Sequence, residues 1–393
     1  MVNPAPGRVV VIGAGLGGLR SAEALRRRGY AGRLVMLGAE RHLPYDRPPL
    51  SKQVLRGEAS LPLLRAASDL DSLDATVLLD TPAIGLSVDD HLVHTATGDV
   101  AYDVAIIATG AVPRRVPGVE GGRVLRTFDD AHALRADLKQ ESRLLIIGAG
   151  LIGCEVAASA RALGVTVAMV DVLPAPAIRV LGPDVGRLVA DMHTEHGVEL
   201  LLNRTVVDAT RHEDGHRVAL DDGTEVDADV VLESIGVIPD TSWLGSSSGI
   251  RRDNGVVCDA DGRAAPDVFA VGDVANWAGH RHEHWTNVGL QADHVAAAIL
   301  GQDIPPGNVS YWWSDQYEVK LQGLGQPLPE HDVAIVTWGP KARPVAVYSH
   351  HGRLTGLVGF SAAGAIMRLR GDVAAGTEVG EILDRLSPGT PAG

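Results

Sequence analysis

The stretch VVVIGAGLGGL, residues 9–19, decides the fold that we expect for this chain. Its first four residues are apolar and β-branched, which predicts a short buried strand, and the glycines that follow predict a tight turn into a helix through Ser21–Arg28. In this pattern Gly13 permits the turn, Gly15 lets a pyrophosphate approach the backbone, and Gly18 lets the helix pack closely on the strand. The pyrophosphate would lie at the positive end of the helix dipole, so the stretch predicts a dinucleotide site.

The chain repeats this pattern at residues 144–155, LLIIGAGLIGCE. A glycine-rich turn alone is a weak indicator, because such turns also occur in proteins that bind no nucleotide. Here a buried strand precedes each turn and an alanine-rich helix follows it, which favours a nucleotide-binding fold in both places. Two dinucleotide folds in one chain predict two bound nucleotides.

The composition is that of a soluble globular protein, with 45% apolar and 21% charged residues among 393. This length predicts two to three domains. We find no apolar run long enough to cross a bilayer and no signal-peptide core in the opening MVNPAPGR, so we expect a cytoplasmic protein without a membrane anchor. The net charge of −14 disfavours nucleic acid as a partner.

Acidic residues near the ends of the second strands predict the ribose contacts. Asp171 closes the strand of residues 165–170, 23 residues after Gly148, where a carboxylate accepts hydrogen bonds from both ribose hydroxyls. It would repel a 2′-phosphate, and the next residue, Val172, supplies no cation, so NADH is favoured over NADPH. In the first fold the nearest acid is Glu40, which is either a ribose contact or an ordinary loop acid.

Two further apolar strands end in residues that suit a ligand. Residues 104–108 lead into Thr109 and Gly110, and residues 267–271 lead into Gly272 and Asp273. An aspartate at such a position can bond a ribityl hydroxyl, although a Gly-Asp pair by itself is usually only a turn.

The remaining patterns predict the domain organisation. Short apolar runs over residues 71–107 predict a β-meander, and the second nucleotide fold has a predicted helix at 152–163. Beyond residue 305, three short strands (333–336, 345–348 and 354–359) and a helix (379–386) predict a small α+β domain. We therefore expect a discontinuous first nucleotide domain over 1–113 and 240–307, a second over 114–239, and a C-terminal domain over 308–393.

Four motifs together resemble one family. They are PYDRPPLSK at residues 44–52, ATG at 108–110, VGD at 271–273 and WSDQY at 313–317. With both glycine turns, they are similar to the FAD-dependent, NADH-dependent ferredoxin reductases of bacterial cytochrome P450 and Rieske dioxygenase systems. The resemblance covers residues 8–387. It implies an α/β fold with two Rossmann-like nucleotide-binding domains of the glutathione-reductase type and a C-terminal α+β interface domain.

The resemblance also implies site residues. Lys52 matches a lysine beside flavin N5 and Glu155 matches its acidic partner, which makes this pair the expected catalytic residues. The expected FAD contacts are Gly13, Gly15, Gly17, Gly18, Glu40, Arg47, Lys52, Ala83 (adenine), Thr109, Gly110, Arg126 (phosphate), Gly272, Asp273 (ribityl chain), Trp285 (pyrimidine edge) and Trp313 (beside the flavin). The expected NADH contacts are Gly148, Gly150, Ile152, Gly153, Asp171 (ribose), Arg179 (adenine side) and Gly236 (over the nicotinamide). Ala39 replaces an acid common in relatives, and Glu233 and Ser234 replace a small pair there.

The implied activity transfers a hydride from NADH to flavin N5 and passes electrons singly to an iron–sulfur carrier. The carrier would be a ferredoxin of 2Fe-2S or similar type that supplies a cytochrome P450 or Rieske oxygenase. A buried lysine beside N5 would stabilise the anionic reduced flavin. The alternative role for Lys52 and Glu155 is a domain-packing salt bridge. Alternative functions are a rubredoxin reductase, a nitrite-reductase partner, or a redox regulator resembling apoptosis-inducing factor, and the protein is a monomer or homodimer.

Cysteine and histidine patterns favour neither a disulfide centre nor a metal site. Cys154 and Cys258 form no Cys-x-x-Cys pair, and we interpret Cys154 as a small buried filler. His280, His282, His284 and His294 cluster, but the resemblance puts flavin-contacting backbone there, so we expect no metal. Because ferredoxins are acidic, docking would need local cations, for which the candidates are Arg65, Arg281, Arg353, Arg368 and Arg370.

Overall fold

A computed structural model of the chain describes residues 5–281, 283, 285–304 and 309–387, which divide into two compact units. Among these residues the first unit combines 5–46, 61–112 and 237–304, and the second combines 47–60, 113–236 and 309–387. Within the described part of the chain, no helix is both long and apolar enough to span a membrane.

The first unit is built on a six-stranded sheet. Its strands in spatial order are Arg263–Ala265, Val268–Ala270, Val104–Ile107, Arg8–Ile12, Arg33–Leu37 and Ala75–Leu78, and every pair except the first is parallel. The helices Leu16–Arg27 and Trp285–Leu300 pack against each other.

The meander predicted over residues 71–107 is partly wrong. Ala75–Leu78 pairs in parallel with Arg33–Leu37 at the edge of the main sheet. The antiparallel meander is therefore limited to Ala83–Ser87, Leu92–Thr95 and Gly98–Ala101. Alternation of apolar residues indicates a strand but does not specify its partner, because pairing depends on the rest of the sheet. The unit is completed by a short parallel pair, Val256–Cys258 with Ala275–Trp277, and by the helix Ala67–Asp71.

The second unit contains a four-stranded parallel sheet in the order Glu199–Leu202, Thr166–Asp171, Arg143–Ile147, Val230–Glu233. Its helices are Leu151–Ala162, Phe128–Asp137 and Ile178–Glu195, and the last is interrupted at Gly182, which has φ 74°. An antiparallel sheet of Val206–His212, Gly215–Leu220 and Glu225–Ala228 follows. The predicted helix at 152–163 and strand at 165–170 are confirmed to within one residue.

The C-terminal part of the second unit has five antiparallel strands rather than the three predicted. They lie in the order Tyr311–Gln316, Val319–Gly325, Arg353–Phe360, Arg343–His350 and Asp332–Trp338. The helices Ala363–Arg368, Arg370–Ala375 and Val379–Leu386 follow, and the last matches its predicted bounds. Tyr311–Gln316 escaped prediction because its alternate buried positions include two polar residues, Ser314 and Gln316, which hide the alternation.

This C-terminal sheet shares a core with the helix Ile178–Glu195. Leu181, Val185 and Val189 of the helix belong to the same buried cluster as Trp312 and Tyr348 of the sheet. The hydroxyl of Tyr348 also donates a hydrogen bond to the Leu181 carbonyl at 2.5 Å. The strand Tyr311–Gln316 packs against the helix Leu151–Ala162. Its Gln316 also reaches the helix Ile178–Glu195, with Oε1 3.0 Å from His193 Nε2.

Candidate functional site

The glycine turn of the first unit lies at the carboxyl edge of its parallel sheet. Gly13 has φ +115°, and a Cβ there would lie 2.3 Å from the Ala108 carbonyl oxygen. A Cβ on Gly18 would lie 1.9 Å from the Gly13 carbonyl oxygen. Both positions therefore require glycine, because a methyl group would force the strand and helix apart.

Gly15 shows a different constraint. Its φ is −85°, which any residue can adopt, and no protein atom lies within 4 Å of its would-be Cβ. The open space lies in front of the N-terminus of the twelve-residue helix Leu16–Arg27. Unpaired backbone N–H groups and the helix dipole make such a space suitable for a diphosphate. The residues present thus fit the predicted dinucleotide.

Other predicted FAD contacts converge on the same sheet edge. A Cβ on Gly17 would lie 3.4 Å from side-chain carbons of Ala108 and Val271, which belong to the two adjacent strand ends. Beyond the first of these strands, the Thr109 hydroxyl donates to the Asp240 carbonyl at 2.8 Å, and the Asp240 N–H donates to the Gly110 carbonyl at 2.9 Å.

At the second strand end, Gly272 has φ +77° and its N–H donates to Gln291 Oε1 at 2.8 Å. Asp273 follows it in a short 3-10 helix, half-buried. The structure thereby gathers Gly13, Thr109 and Asp273 at one edge, as parallel strands require.

The remaining predicted residues of the first unit occupy separate elements. Glu40 accepts a hydrogen bond from the Tyr45 hydroxyl at 2.5 Å, so its carboxylate is held in place rather than free in a loop. Trp285 begins the helix Trp285–Leu300, and its indole N–H donates to Asp46 Oδ1 at 2.8 Å. The half-buried Ala83 begins the first strand of the meander.

The second unit repeats the glycine geometry. Gly148 has φ +103° and its would-be Cβ lies 2.4 Å from the Ser234 carbonyl oxygen, while a Cβ on Gly153 would lie 2.3 Å from the Gly148 oxygen. Gly150 has φ −73° with no atom within 4 Å of its would-be Cβ. The turn is therefore closed where the strand meets the helix and open in front of the helix N-terminus, as in the first unit.

Asp171 supports this second turn from the next strand. Its Oδ2 accepts from the Ala149 N–H at 2.7 Å and its Oδ1 accepts from the Leu173 N–H at 2.9 Å. Each carboxylate oxygen has two acceptor sites, so both oxygens retain capacity for a ribose hydroxyl. Val172 beside it is 53% exposed.

Five other predicted residues belong to the second unit. Ile152 is 43% exposed in the first turn of its helix, and Arg179 is exposed in the first turn of Ile178–Glu195. Gly236 has φ +96°, with no atom within 4 Å of its would-be Cβ. The Arg47 guanidinium donates to the Arg126 carbonyl, which joins two predicted FAD contacts.

Lys52 and Glu155 form a buried ion pair inside the second unit. The Lys52 ammonium lies 2.7 Å from Glu155 Oε2, and their side chains are 5% and 8% exposed. The short 3-10 helix Pro48–Ser51 presents Lys52, and the helix Leu151–Ala162 presents Glu155. Two buried charges in low dielectric are tolerated only when paired and hydrogen-bonded. The pair lies within one compact unit rather than across two.

Sequence reasoning missed the partners of this pair. Glu155 also accepts from the Ser51 hydroxyl at 2.6 Å and from the Ser314 hydroxyl at 2.7 Å. Gln316 Nε2 donates to Ser314 Oγ at 3.1 Å, and Gln316 Oε1 lies 3.0 Å from His193 Nε2. The WSDQY motif contained the signal, because Ser314 and Gln316 are two residues apart and so share one face of a strand.

His193 is fully buried, and desolvation lowers its pKa to about 4. A folded-state pKa below the unfolded value means that the unfolded chain binds a proton more readily between pH 6.5 and 4. The stability contributed by neutral His193 is therefore present above pH 6.5 and is lost as the pH falls through this window.

We expect the free energy of unfolding to fall more steeply in the wild type than in His193→Gln between pH 6.5 and 4. The difference is up to about 1.4 kcal/mol per pH unit. Urea unfolding at several pH values measures it. Parallel pH profiles for the two proteins would contradict the buried neutral state.

The presence of Glu233 at this position had no explanation in the sequence, and the structure shows it as a buried residue with a structural role. Its carboxylate accepts from the Arg115 guanidinium at 2.7 Å and from the Val116 N–H. A Cβ on Gly122 would lie 2.6 Å from Glu233 Oε1, so the segment packs closely on this acid. The bonds hold the segment 115–122 against the end of the strand Val230–Glu233.

The remaining candidates from the sequence are the two cysteines and the histidine cluster. Cys154 and Cys258 are free and buried. Burial raises the pKa of the Cys154 thiol, and burial raises the pKa of Cys258 to about 12. No metal-binding group of three or more His, Cys, Asp or Glu residues occurs in the described ranges, and His282 and His284 lie outside them.

Among the candidate docking cations, three have acidic partners. Arg65 lies 2.5 Å from Glu23, Arg281 lies 2.5 Å from Glu283, and Arg353 lies 3.6 Å from Glu378. Arg370 donates to the Val309 carbonyl at 3.4 Å. These contacts reduce the positive charge available at the surface.

Comparison with known proteins gives consistent matches over most of the chain. Residues 7–293 match the family described as pyridine nucleotide-disulphide oxidoreductase, and residues 311–383 match the reductase C-terminal family. The chain is 36% identical over 329 residues to the ferredoxin–NAD(+) reductase subunit of the benzene 1,2-dioxygenase system of Pseudomonas putida, covering 81% of this chain and 80% of the relative. It is 32% identical to putidaredoxin reductase of Pseudomonas putida over 86% of this chain and 84% of the relative.

A solved structure of similar fold is the covalent putidaredoxin reductase–putidaredoxin complex. It has a TM-score of 0.91 and 29% identity, covering 99% of this chain and 97% of that chain.

Proposed function

The chain belongs to the pyridine nucleotide-disulphide oxidoreductase family, and from that premise we propose that it is an NADH-dependent ferredoxin reductase. The observation that carries the proposal is the pair of glycine turns, each open in front of a helix N-terminus at Gly15 and at Gly150. Two such open turns suit an enzyme that binds a flavin dinucleotide and a nicotinamide dinucleotide. We propose domain limits of 1–113 with 240–307 for FAD, 114–239 for NADH, and 308–393 for the C-terminal domain.

A bound FAD would supply the redox chemistry, as an acceptor of a hydride from NADH and a donor of single electrons to an iron–sulfur protein. The protein's own residues would bind and orient the two nucleotides. The Gly13–Gly18 turn would hold the FAD diphosphate, with Thr109, Gly110 and Asp273 at the same sheet edge. The Gly148–Gly153 turn and Asp171 would hold NADH.

Lys52 and Glu155 have an electrostatic role in this proposal. The Lys52 ammonium carries a full positive charge into a nearly dry environment, because Glu155 and the Pro48 carbonyl, 3.0 Å away, accept its hydrogen bonds. A fixed charge in such a site stabilises developing negative charge more strongly than it would in water.

The proposed electron acceptor is a ferredoxin of 2Fe-2S type that supplies a cytochrome P450 or Rieske oxygenase. The names of the relatives and the putidaredoxin complex support this class of partner. A rubredoxin reductase and a redox regulator resembling apoptosis-inducing factor are the competing functions.

The test is NADH-driven reduction of cytochrome c by the flavin-loaded protein, with and without 2Fe-2S ferredoxins and rubredoxins. We expect strong stimulation by a ferredoxin. Stimulation by rubredoxin alone would replace the acceptor. Slow NADH turnover with a long-lived charge-transfer complex and no stimulation by any carrier would favour the regulator.

Coenzyme preference gives a separate prediction. We expect Val172→Arg to raise kcat/KM for NADPH about tenfold, because a guanidinium beside Asp171 can pair with a 2′-phosphate. The control Val172→Gln has a long side chain without charge and should leave NADPH use low. Steady-state kinetics with both coenzymes measure the effect. Equal NADPH kinetics in both variants would argue against an adenosine ribose at Asp171.

A further inference from the structure

The Lys52–Glu155 pair is the end of a longer hydrogen-bonded network. From Glu155 the network continues through Ser314, Gln316 and His193 to Tyr317, whose hydroxyl lies 2.9 Å from His193 Nδ1. Ser314, Gln316 and His193 are fully buried. The groups come from two helices and one strand, so only the packed second unit assembles them.

The direction of each hydrogen bond follows from the ionised carboxylate. A carboxylate only accepts, so the Ser314 hydroxyl donates to Glu155 and must itself accept from the Gln316 amide N–H. Gln316 Oε1 then faces His193, so His193 carries its proton on Nε2 and its Nδ1 accepts from the Tyr317 hydroxyl. Burial raises the pKa of Tyr317, so this hydroxyl stays protonated. Every donor therefore points towards Glu155.

This arrangement is suited to holding charge rather than to conducting protons. Tyr317 and Lys52 both line an open cavity of about 700 Å³, so the network connects two groups at this cavity through a buried interior. A proton relay would need each group to accept and release a proton. The Gln316 amide could do so only through an unfavourable tautomer, so the network is interrupted as a proton path and remains intact as a set of oriented dipoles.

We propose that Ser314, Gln316 and His193 are positioning residues that hold the Glu155 carboxylate fixed beside Lys52, so that the Lys52 ammonium stays directed towards the flavin. The proposal rests on the proposed function, because it requires a flavin beside Lys52. Without the Ser314 donor, the negative charge of Glu155 is less compensated and offsets more of the Lys52 charge. The positive charge that the flavin experiences then decreases.

The test is the reduction equilibrium of the flavin-loaded protein against a reference dye. We expect Ser314→Ala to shift this equilibrium about tenfold towards oxidised flavin, which is about 30 mV for a two-electron couple. Ser314→Cys should behave in the same way, because a thiol nearly preserves the volume but is a weak donor. Ser349→Ala, another buried serine truncation in the same sheet, is the control and should match the wild type.

The Ser314 variants distinguish the proposed positioning role from a role in packing alone. A packing role predicts that Ser314→Cys restores the wild-type equilibrium, and that result would overturn the proposal, as would an unchanged equilibrium in Ser314→Ala. The equilibrium is measured without any ferredoxin, so failure to reduce a carrier would count against the proposed function alone.

A second measurement needs no flavin chemistry. Nitrogen-15 NMR of the histidine rings, with His193 assigned from the signal lost in His193→Gln, reports the protonated nitrogen. We expect neutral His193 with its proton on Nε2 at pH 7. A proton on Nδ1, or a charged ring, would break the deduced hydrogen-bond direction and overturn the proposal.

Discussion

Replacing Lys52 by methionine is expected to slow NADH-driven reduction of the bound flavin by on the order of 10²-fold. The Lys52 side chain is 5% exposed, so water screens its charge poorly and that charge acts strongly on nearby groups. Methionine preserves most of the side-chain volume without the charge. Stopped-flow absorbance at the flavin band measures the rate.

The substitution also leaves Glu155 buried without its cation, which destabilises the fold by about 3–5 kcal/mol. The double variant Lys52→Met/Glu155→Gln removes both charges, and Gln can still accept from Ser51 or Ser314. We expect it to recover stability in urea unfolding but not the reduction rate. Recovery of both would identify the pair as a structural salt bridge only.

Alanine at Gly15 is expected to weaken FAD binding about tenfold or more, whereas alanine at Gly150 should weaken NADH binding by a similar factor. Both backbones have ordinary φ angles and both would-be Cβ atoms face open space, so the fold should persist. Each methyl group occupies the space through which a diphosphate would approach its helix. Flavin content after purification and fluorescence titration with NADH measure the two effects.

Two controls define this prediction. Gly18→Ala places Cβ 1.9 Å from a backbone oxygen and should destabilise the turn itself, whereas Gly371→Ala meets no atom within 4 Å and should be silent. If Gly15→Ala lowered NADH affinity and spared FAD, the assignment of nucleotides to the two turns would be reversed. Unchanged binding of both nucleotides would remove the turns from the site.

The parts of the fold that could be predicted are those with strong local requirements. The helices after Gly15 and Gly150 and the final helix Val379–Leu386 follow from glycine turns and apolar periodicity. The strand Tyr311–Gln316 could not be found in this way, because its buried face includes polar groups. The pairing of Ala75–Leu78 was predicted wrongly, as part of the meander, since a short edge strand can pair with more than one neighbour.

The candidate site likewise has parts that were expected from the sequence and parts that appeared only in the folded structure. Lys52 and Glu155 were expected as a pair from the family resemblance, and they lie 2.7 Å apart. Glu233 was recognised as a departure from relatives, but its bonds to Arg115 and Val116 appear only when the chain is folded. The sequence shows that a charged residue is present, but it does not show which groups will compensate that charge in the folded chain.

The sequence by itself determined that two glycine turns form and where they begin. The conformation at Gly13 and Gly148 and the close contacts at Gly18 and Gly153 depend on only a few adjacent residues. Only the tertiary structure decided what surrounds Glu155. Ser314 lies 159 positions further along the chain, and its hydroxyl reaches the carboxylate because the C-terminal sheet packs on the helices of the second unit. Such a contact depends on long-range packing, to which no local pattern corresponds.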